Sequence, residues 1–325
     1  MTEKDLLYLC DPKNAYKGKS IWFYWTAELY SFGKNIRDYG YFPDFLPLLV
    51  YSEHSAPAYT LEPYKHEIET DAPVFLCHSK LKSLNYTKLT GKKSYNIFSP
   101  NVFYRRKNKI IQNKNSEGTV VFPSHTNPSW EDSFDINKYC KSLKRLPKKF
   151  HPIKVCLHMH DINSGIYKQY QEKGLDVVTA GNSSDTKFAD RLYEIMSYAK
   201  FLSANSPGTI GPLSIEMGIP FFIYGPEPNS INISDKNFTY KKTIKPPKIQ
   251  IEFNEKLKLS KNFELPIIDK EFRESIEDFL GLKNGISRLK MCFILWYALF
   301  NWIFTFKWIQ WTLKNKQLIK KKLGI

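Results

Sequence analysis

Several features that assign a chain to a particular class of protein are scarce or missing in this 325-residue sequence. Its five cysteines are scattered and show no CxxC spacing, so we expect reduced thiols in a cytoplasmic protein rather than a disulfide framework. No apolar run follows the charged first residues, which predicts that a secretory signal is absent. Internal repeats and low-complexity tracts are missing as well. The sequence therefore predicts an ordinary globular protein of the cytoplasm.

Acidic residues are few relative to basic ones. There are 48 Lys and Arg against 32 Asp and Glu, which gives a formal net charge of +16. Such an excess indicates an anionic partner, namely nucleic acid, an anionic membrane surface or a phosphorylated substrate. We expect no nucleic-acid partner, because the sequence has no RRM, zinc or helix-turn-helix signature. Much of the basic excess lies instead in residues 105–114 and in the C-terminal tail.

The length favours two domains, since single hydrophobic cores stop growing below this size. Between residues 119 and 224, short apolar runs alternate with helical patterns, which predicts a parallel sheet with helices on both faces. The strands predicted there are residues 119–123, 152–158, 176–179, 200–204 and 220–224. Earlier in the chain the alternation is less regular. The strands predicted in that part are residues 20–25, 46–51, 72–77 and 95–98, with helices at 26–41 and 80–89.

A polar, basic stretch at residues 105–118 is the clearest change of composition and marks the predicted domain boundary. We predict an α/β fold class with two Rossmann-like domains that face a cleft. The predicted limits are 1–115 for the first domain, 116–285 for the second, and 286–325 for a basic aromatic helix. Within the second domain, residues 226–268 are expected to be irregular and 270–280 to form one more helix.

Residues 291–311 are almost continuously apolar, rich in Trp and Phe, and flanked by basic residues. A helix lying in the membrane interface accounts best for this mixture. A spanning helix is a second possibility, although it needs about 20 apolar residues and Lys307 interrupts the run. A core helix packed on the second domain is the third. In the first two cases, residues 288–322 would contact an anionic cytoplasmic leaflet.

Polar loops follow four strands of the predicted second sheet. Right-handed crossovers bring such loops to one carboxyl edge, where ligands bind. The residues predicted to bind a ligand there are Ser124, His125, His158, His160, Gly181, Asn182, Ser206, Gly208 and Thr209. The loop with Gly181 and Asn182 and the loop with Ser206, Gly208 and Thr209 run into helix starts. Backbone N–H groups and the helix dipole favour a phosphate there. A metal site made by His158, His160 and Asp161 is the alternative, and a lone surface histidine is the ordinary explanation for any one imidazole.

Residues 203–220 (SANSPGTIGPLSIEMGIP) resemble the donor-binding segment of GT-B glycosyltransferases. In that segment a strand ends in a Ser/Gly-rich turn, and the following helix carries an acidic residue before Gly-x-Pro. Glu216 occupies the acidic position, so the resemblance implies that it binds a ribose hydroxyl of the donor. Residues 153–161 and the Ser206 turn are similar to segments of bacterial sialyltransferases and related CMP-sugar enzymes. The whole pattern also resembles Kdo-type transferases of surface-polysaccharide clusters.

This resemblance implies a glycosyltransferase that takes a sugar from a nucleotide-sugar donor, CMP-linked by likeness to the sialyltransferases. The acceptor would be a lipid-linked sugar or a polysaccharide in the synthesis of a bacterial surface glycan, such as lipopolysaccharide O-antigen or capsule. The enzyme would work at the cytoplasmic face of the inner membrane. No cofactor is implied besides the nucleotide-sugar co-substrate. The first domain would hold the acceptor and the second the donor.

An inverting transferase needs a group that deprotonates the acceptor hydroxyl. Glu53 and His54 directly follow a predicted strand of the first domain and are the candidate catalytic bases, with His78 after another strand as a third. Glu53 and His54 are equally typical of a polar turn. No DxD-like acidic pair follows a strand, and Lys and Arg can neutralise the leaving phosphate. We therefore predict a metal-independent enzyme.

Two other functions fit the same features. A CDP-glycerol or CDP-ribitol phosphotransferase would share the scaffold, the basic surface and the membrane attachment, but would transfer a phosphorylated polyol instead of a sugar. A non-catalytic membrane scaffold of the same fold is the second alternative. Mutation of Glu53, His54, His125 and Glu216 without loss of polymer assembly in cells would indicate the scaffold.

Overall fold

The computed structural model describes residues 1–53, 61–126, 130–206, 208–233, 242–243 and 248–306, together with 309 and 313. The described part is an α/β protein with two parallel sheets and an antiparallel ribbon. Its strands are β1 (Tyr51–Ser52), β2 (Val74–Cys77), β3 (Lys93–Asn96), β4 (Glu117–Phe122), β5 (Trp130–Ser133), β6 (Ile153–Cys156), β7 (Asp176–Val178), β8 (Ala199–Ala204), β9 (Phe221–Ile223) and β10 (Asn229–Asn232).

Helices connect and cover these strands. They are α1 (Glu3–Cys10), α2 (Phe32–Tyr39), α3 (Lys65–Ile68), α4 (Lys80–Thr90), α5 (Pro100–Lys107), α6 (Ile136–Lys144), α7 (Met159–Asn163), α8 (Tyr167–Glu172), α9 (Phe188–Ser197), α10 (Ile210–Met217), α11 (Lys248–Leu257), α12 (Lys270–Phe279) and α13 (Arg288–Phe304). Short 3₁₀ helices lie at Trp25–Ala27, Leu29–Ser31 and Lys148–Phe150.

The larger sheet has five parallel strands in the order β7-β6-β4-β8-β9. Alternate residues of each strand enter two separate cores, because successive side chains of a strand point to opposite faces. Val120 and Leu202 pack with α9, α10 and α12 on one face, whereas Val121 and Val155 pack with α6 and α8 on the other. The parallel sheet predicted between residues 119 and 224 is confirmed. Its predicted cover of helices on both faces is confirmed as well.

The smaller sheet is parallel in the order β1-β2-β3. Val74 and Leu76 face α2 and α13, while Phe75 and Cys77 face Tyr86 of α4 on the opposite side. The strand predicted at 72–77 and the helix predicted at 80–89 are thus confirmed, although the strand predicted at 46–51 is reduced to β1.

Two predictions for the first part of the chain are wrong. Residues 20–25 form no strand, because this segment wraps around Arg37, whose buried guanidinium donates to Ser20 Oγ at 2.7 Å and to the Glu28 carboxylate at 2.6 and 2.9 Å. The helix predicted at 26–41 is interrupted at Tyr30 and Ser31, which adopt positive φ values of 56° and 64°. Only α2 remains as a regular helix there.

Both ends of the described chain pack across the predicted domain limits. Leu6 and Cys10 of α1 are fully buried in a core of the five-stranded sheet. Met291, Leu295 and Ala298 of α13 are buried against the three-stranded sheet, so one face of this helix is a core element, but not on the predicted second domain. Of the helices that the structure describes, none combines the length and apolar character of a membrane span.

Residues 226–268, which were predicted to be irregular, contain two regular elements, β10 and α11. β10 pairs antiparallel with β5, with Asn229 opposite Ser133 and Asn232 opposite Trp130. Because β5 follows β4 and β10 follows β9, this ribbon rises from the carboxyl edge of the five-stranded sheet. The helix predicted at 270–280 is confirmed as α12.

Candidate functional site

Three imidazoles meet at the carboxyl edge of the five-stranded sheet. His125 follows β4, while His158 follows β6 as the N-cap of α7 and His160 lies in the first turn of that helix. The rings of His125 and His158 stack with centroids 3.9 Å apart, and those of His158 and His160 are 4.9 Å apart. The structure thus brings together these three predicted residues. His158 is not the last residue of a strand as predicted, because β6 ends at Cys156.

The hydrogen bonds of this cluster assign the ring protons. His158 Nδ1 accepts the backbone N–H of His160 at 3.4 Å, so the proton of the neutral ring is on Nε2, which lies 3.4 Å from the Tyr30 hydroxyl. His125 Nδ1 donates to the carbonyl of Thr126 at 3.2 Å. The lone pair of neutral His125 is therefore on Nε2, where it can accept a proton or a hydrogen bond.

Burial is the main reason that the pKa of each imidazole in the cluster lies below its ordinary value. The pKa of His158 is lowered furthest, since His125 and His160 add repulsion to the cost of burial. A proton on one ring disfavours a proton on its neighbours. The cluster is consequently neutral at pH 7 and suits proton transfer or hydrogen bonding rather than the permanent neutralisation of a phosphate.

A carboxyl group with a shifted pKa lies next to the cluster. Asp161 follows His160 and is 4% exposed, and burial together with the negative charge of Asp132 raises its pKa to about 7. Asp132 belongs to β5, and its backbone N–H donates to Thr126 Oγ1 at 3.2 Å. The ribbon therefore brings Asp132 to the loop that carries His125. Carboxyls with a pKa near 7 are typical of acid–base catalysts.

Tyr30 and Ser31 reach this edge from the part of the chain that precedes the three-stranded sheet. The break in helical geometry at these residues lets the Tyr30 N–H donate to the Ser183 carbonyl at 2.7 Å. Ser31 Oγ donates to the Thr186 carbonyl at 3.0 Å and accepts the Ala189 N–H at 2.9 Å. Sequence reasoning missed both residues, because the helical spacing of the apolar residues around them conceals the break.

The loop after β7 is occupied by the N-terminal helix. The Asn182 backbone N–H donates to Leu9 O at 2.8 Å, and its side-chain amide donates to Cys10 O at 3.0 Å. Gly181 has a φ of +86°, and a Cβ there would lie 2.9 Å from Leu9 O. These two predicted donor-binding residues are thus engaged in holding α1.

One buried amide joins three loops of the edge. Asn205, 1% exposed, accepts the Ser124 N–H at 2.7 Å and donates to Pro226 O at 3.1 Å. Gly208 lies further along the chain and is exposed; its N–H donates to Ser206 O at 3.0 Å, and a Cβ added there would meet nothing within 4 Å. Thr209 is the N-cap residue of α10 and its side chain makes no capping hydrogen bond, so these residues lie at a helix N-terminus.

Glu216 lies at the other end of α10, about 10 Å along the helix axis from Thr209. Its carboxylate accepts hydrogen bonds from Arg105 at 2.6 and 2.8 Å and from Arg106 Nε at 2.9 Å. The side chain is 3% exposed. A ribose hydroxyl would have to displace an arginine to reach it.

Glu53 is part of a buried ionic cluster under the three-stranded sheet. It accepts from Lys82 Nζ at 2.7 Å and from the His78 N–H at 3.0 Å, and Lys82 also donates to Glu67 at 3.0 Å. Burial raises the pKa of Glu53, but Lys82 and His78 outweigh burial and bring it below its ordinary value. Such a carboxylate is a weak base. His54 lies outside the described residues.

His78, the third candidate base, is 1% exposed. Neither of its ring nitrogens has a hydrogen-bond partner within the described part of the chain. Among the same residues, no three or more His, Cys, Asp or Glu side chains are arranged to hold a metal ion.

The fold and the site thus define an α/β protein with a five-stranded parallel sheet and a histidine cluster at its carboxyl edge. No protein-family model matches the chain, and no curated protein matches it either.

Proposed function

We propose that this protein is a metal-independent glycosyltransferase of the GT-B type. In this proposal the two parallel sheets are the cores of two domains, and the donor nucleotide sugar binds between them at the carboxyl edge of the five-stranded sheet. The observation that carries it is the stacked, neutral imidazole cluster at the same sheet edge as Ser206, Gly208 and Thr209 before α10. Tyr30, which comes from the other half of the chain, contacts that cluster, as a residue lining an interdomain cleft would.

The roles follow from the chemistry of each group. The donor phosphate would lie at the start of α10, where Ser206 and Thr209 carry hydroxyl groups, Gly208 has no side chain to fill the space, and the helix dipole favours an anion. His160 and Ser124 would contact the sugar or the base. The proton acceptor for the acceptor hydroxyl would be His125 Nε2, whose tautomer leaves the lone pair there, and this step supplies about 10²–10⁴-fold of the rate.

The two catalytic bases predicted from the sequence compare differently with His125 as proton acceptors. Glu53 is weakened as a base by Lys82, so we rank it below the imidazole. His54 stays a candidate base. Attack by the deprotonated hydroxyl on the anomeric carbon, with the nucleotide leaving from the opposite side, would invert the configuration.

The acceptor in this proposal is a lipid-linked sugar or a polysaccharide of a bacterial surface glycan. Transfer would take place at the cytoplasmic face of the inner membrane, with residues 288–322 holding the enzyme at that surface. The basic excess of the chain, +16 in formal net charge, supports both an anionic donor and an anionic membrane.

Thermal unfolding in the presence of CMP, CDP, UDP, GDP and their sugars tests the proposal. A bound ligand at 100 times its Kd stabilises the folded state by about 2.7 kcal/mol, and we expect a CMP-linked sugar to do so. The same panel with EDTA present tests metal independence. Analysis of the product then separates sugar transfer from transfer of a phosphorylated polyol. If no nucleotide raises the midpoint of unfolding, the proposal is wrong.

A further inference from the structure

Helix α13 is apolar on two opposite faces. Met291, Leu295 and Ala298 form the inner face and are buried against the three-stranded sheet. On the outer face, Leu289, Phe293, Phe300 and Phe304 are 67%, 74%, 48% and 74% exposed. Their spacings of four, seven and four residues place them on one stripe of the helix. A core helix of a soluble protein carries polar residues on such a face, so this stripe needs a partner.

A second element extends the stripe. The turn after α2 carries Tyr41 and Phe45, which are 60% and 61% exposed. This turn lies beside α13, because Phe42 packs edge-on against Trp296 with ring centroids 5.2 Å apart, and Arg288 lies 3.9 Å from the centroid of the Tyr41 ring. We call the six residues Leu289, Phe293, Phe300, Phe304, Tyr41 and Phe45 the aromatic face.

Basic residues predominate around the aromatic face, where the exposed Asp44 beside Phe45 lies 3.9 Å from the Lys19 ammonium. Residues 288–325 contain eight Lys and Arg and no Asp or Glu. Lys93 Nζ lies 3.8 Å from the centroid of the Tyr297 ring, and Lys290 Nζ lies 5.4 Å from that of Tyr95, so both ammonium groups lie near α13. Aromatic rings with lysines at their edge suit the headgroup zone of an anionic bilayer.

We propose that the aromatic face binds an anionic lipid bilayer, with α13 lying in the plane of the membrane. Spanning is incompatible with this helix, since its inner face is part of the protein core. A second copy of the chain is a less favourable partner for the aromatic face than a bilayer. Pairing two such faces would bring two basic borders together, and like charges repel. The turn with Tyr41 and Phe45 makes the surface wider than the C-terminal segment alone.

Flotation with lipid vesicles tests this surface. We expect the intact chain to bind vesicles containing phosphatidylglycerol far better than vesicles of phosphatidylcholine, with binding weakened at high salt. The triple variant Phe293→Gln/Phe300→Gln/Phe304→Gln should lower the partition coefficient roughly 100-fold, and Tyr41→Gln/Phe45→Gln roughly tenfold, because each removes apolar area that would enter the interface. All five side chains are exposed, so the variants should keep the wild-type unfolding midpoint.

The matched control is Leu81→Gln/Leu84→Gln/Leu89→Gln. These leucines of α4 are 50%, 58% and 60% exposed, and α4 covers the opposite side of the three-stranded sheet from α13. The control should bind vesicles as the wild type does. Equal binding of the aromatic-face triple variant, or no preference for anionic vesicles, would overturn the proposal. So would a wild-type dimer in sedimentation that the triple variant dissociates. Vesicle binding needs no donor, so it can succeed where nucleotide binding fails.

Discussion

The imidazole rings of His125 and His158 stack face to face, with centroids 3.9 Å apart and planes only 11° apart. The two residues follow different strands, so the fold of the five-stranded sheet creates this pair. Burial lowers the pKa of both imidazoles, and the neighbouring His125 and His160 lower that of His158 further. The pair is therefore neutral, and within it His125 Nε2 is the nitrogen that can accept a proton.

Replacing His125 with Phe tests the role of that nitrogen. The Phe ring preserves the stack with His158 but removes the proton acceptor, so we expect the rate of sugar transfer to fall about 10²–10⁴-fold. Stabilisation by the donor nucleotide should be retained, because the start of α10 is unchanged. The measurement is kcat with the donor found by thermal unfolding. His66→Phe, at an exposed histidine of α3, is the control and should keep the wild-type rate.

The pH dependence of stability should carry the signature of His158. Its pKa is lowered by burial and by the neighbouring imidazoles, so the unfolded chain binds more protons than the folded one below pH 6.5. Stability is then lost as the pH falls, by up to about 2 kcal/mol between pH 6.5 and 5 for one such group. His158→Phe removes this loss. Urea denaturation of both proteins between pH 5 and 8 should show a smaller loss on acidification in the variant.

Asp161 provides a control, because its effect on stability as the pH falls has the opposite sign to that of His158. Burial raises its pKa to about 7, so between pH 4 and pH 7 the folded state binds more protons than the unfolded state, and this group favours folding as the pH falls. Asp161→Asn removes that gain, so the variant should lose more stability than the wild type on acidification. Parallel slopes for wild type, His158→Phe and Asp161→Asn would show that neither group is perturbed.

The five-stranded sheet could be predicted because its signal is local. Each of its strands is a short apolar run, and the segments between them have the length and spacing of helices, so β4, β6, β7, β8 and β9 were found from pattern alone. The loops that end these strands followed from topology, which is why His125 and His158 could be assigned to one edge. Neither these strands nor the loops that follow them depend on a contact between distant residues to be recognised in the sequence.

The remaining features depend on such contacts. Residues 20–25 have the composition of a strand, but the buried charge of Arg37 requires Ser20 and Glu28 as partners and bends the segment around it. The carboxylate of Glu216 is bound by Arg105, 111 positions away. Asn182 holds the end of α1, which lies more than 170 residues earlier. Pairings of this kind leave no periodic trace in the sequence.

Glu216→Gln separates the two roles open to that residue. The carboxylate is almost buried and is bound by two arginines. We therefore expect the amide to lower the free energy of unfolding by about 2–4 kcal/mol. This is toward the low end of the effect of breaking a buried ion pair, because Arg106 is half exposed. The Kd of the folded protein for the donor nucleotide should stay the same. Glu194→Gln, an exposed site on α9, is the control. Loss of nucleotide binding with unchanged stability would instead make Glu216 a ribose ligand.

Glu53→Gln tests whether the sequence-predicted base takes part in the chemistry. The amide keeps the shape of the side chain but removes the ionised carboxylate that Lys82 contacts; Glu67, whose pKa burial raises to about 7, still contacts that ammonium. We expect the free energy of unfolding to fall by about 1–3 kcal/mol, measured by urea denaturation. The transfer rate per folded molecule should change less than about tenfold, since a structural carboxylate contributes no proton transfer. Glu67→Gln, at the other carboxyl group that Lys82 contacts, should likewise leave the transfer rate per folded molecule nearly unchanged. A rate loss of about 100-fold or more in Glu53→Gln but not in Glu67→Gln would return Glu53 to the role of base.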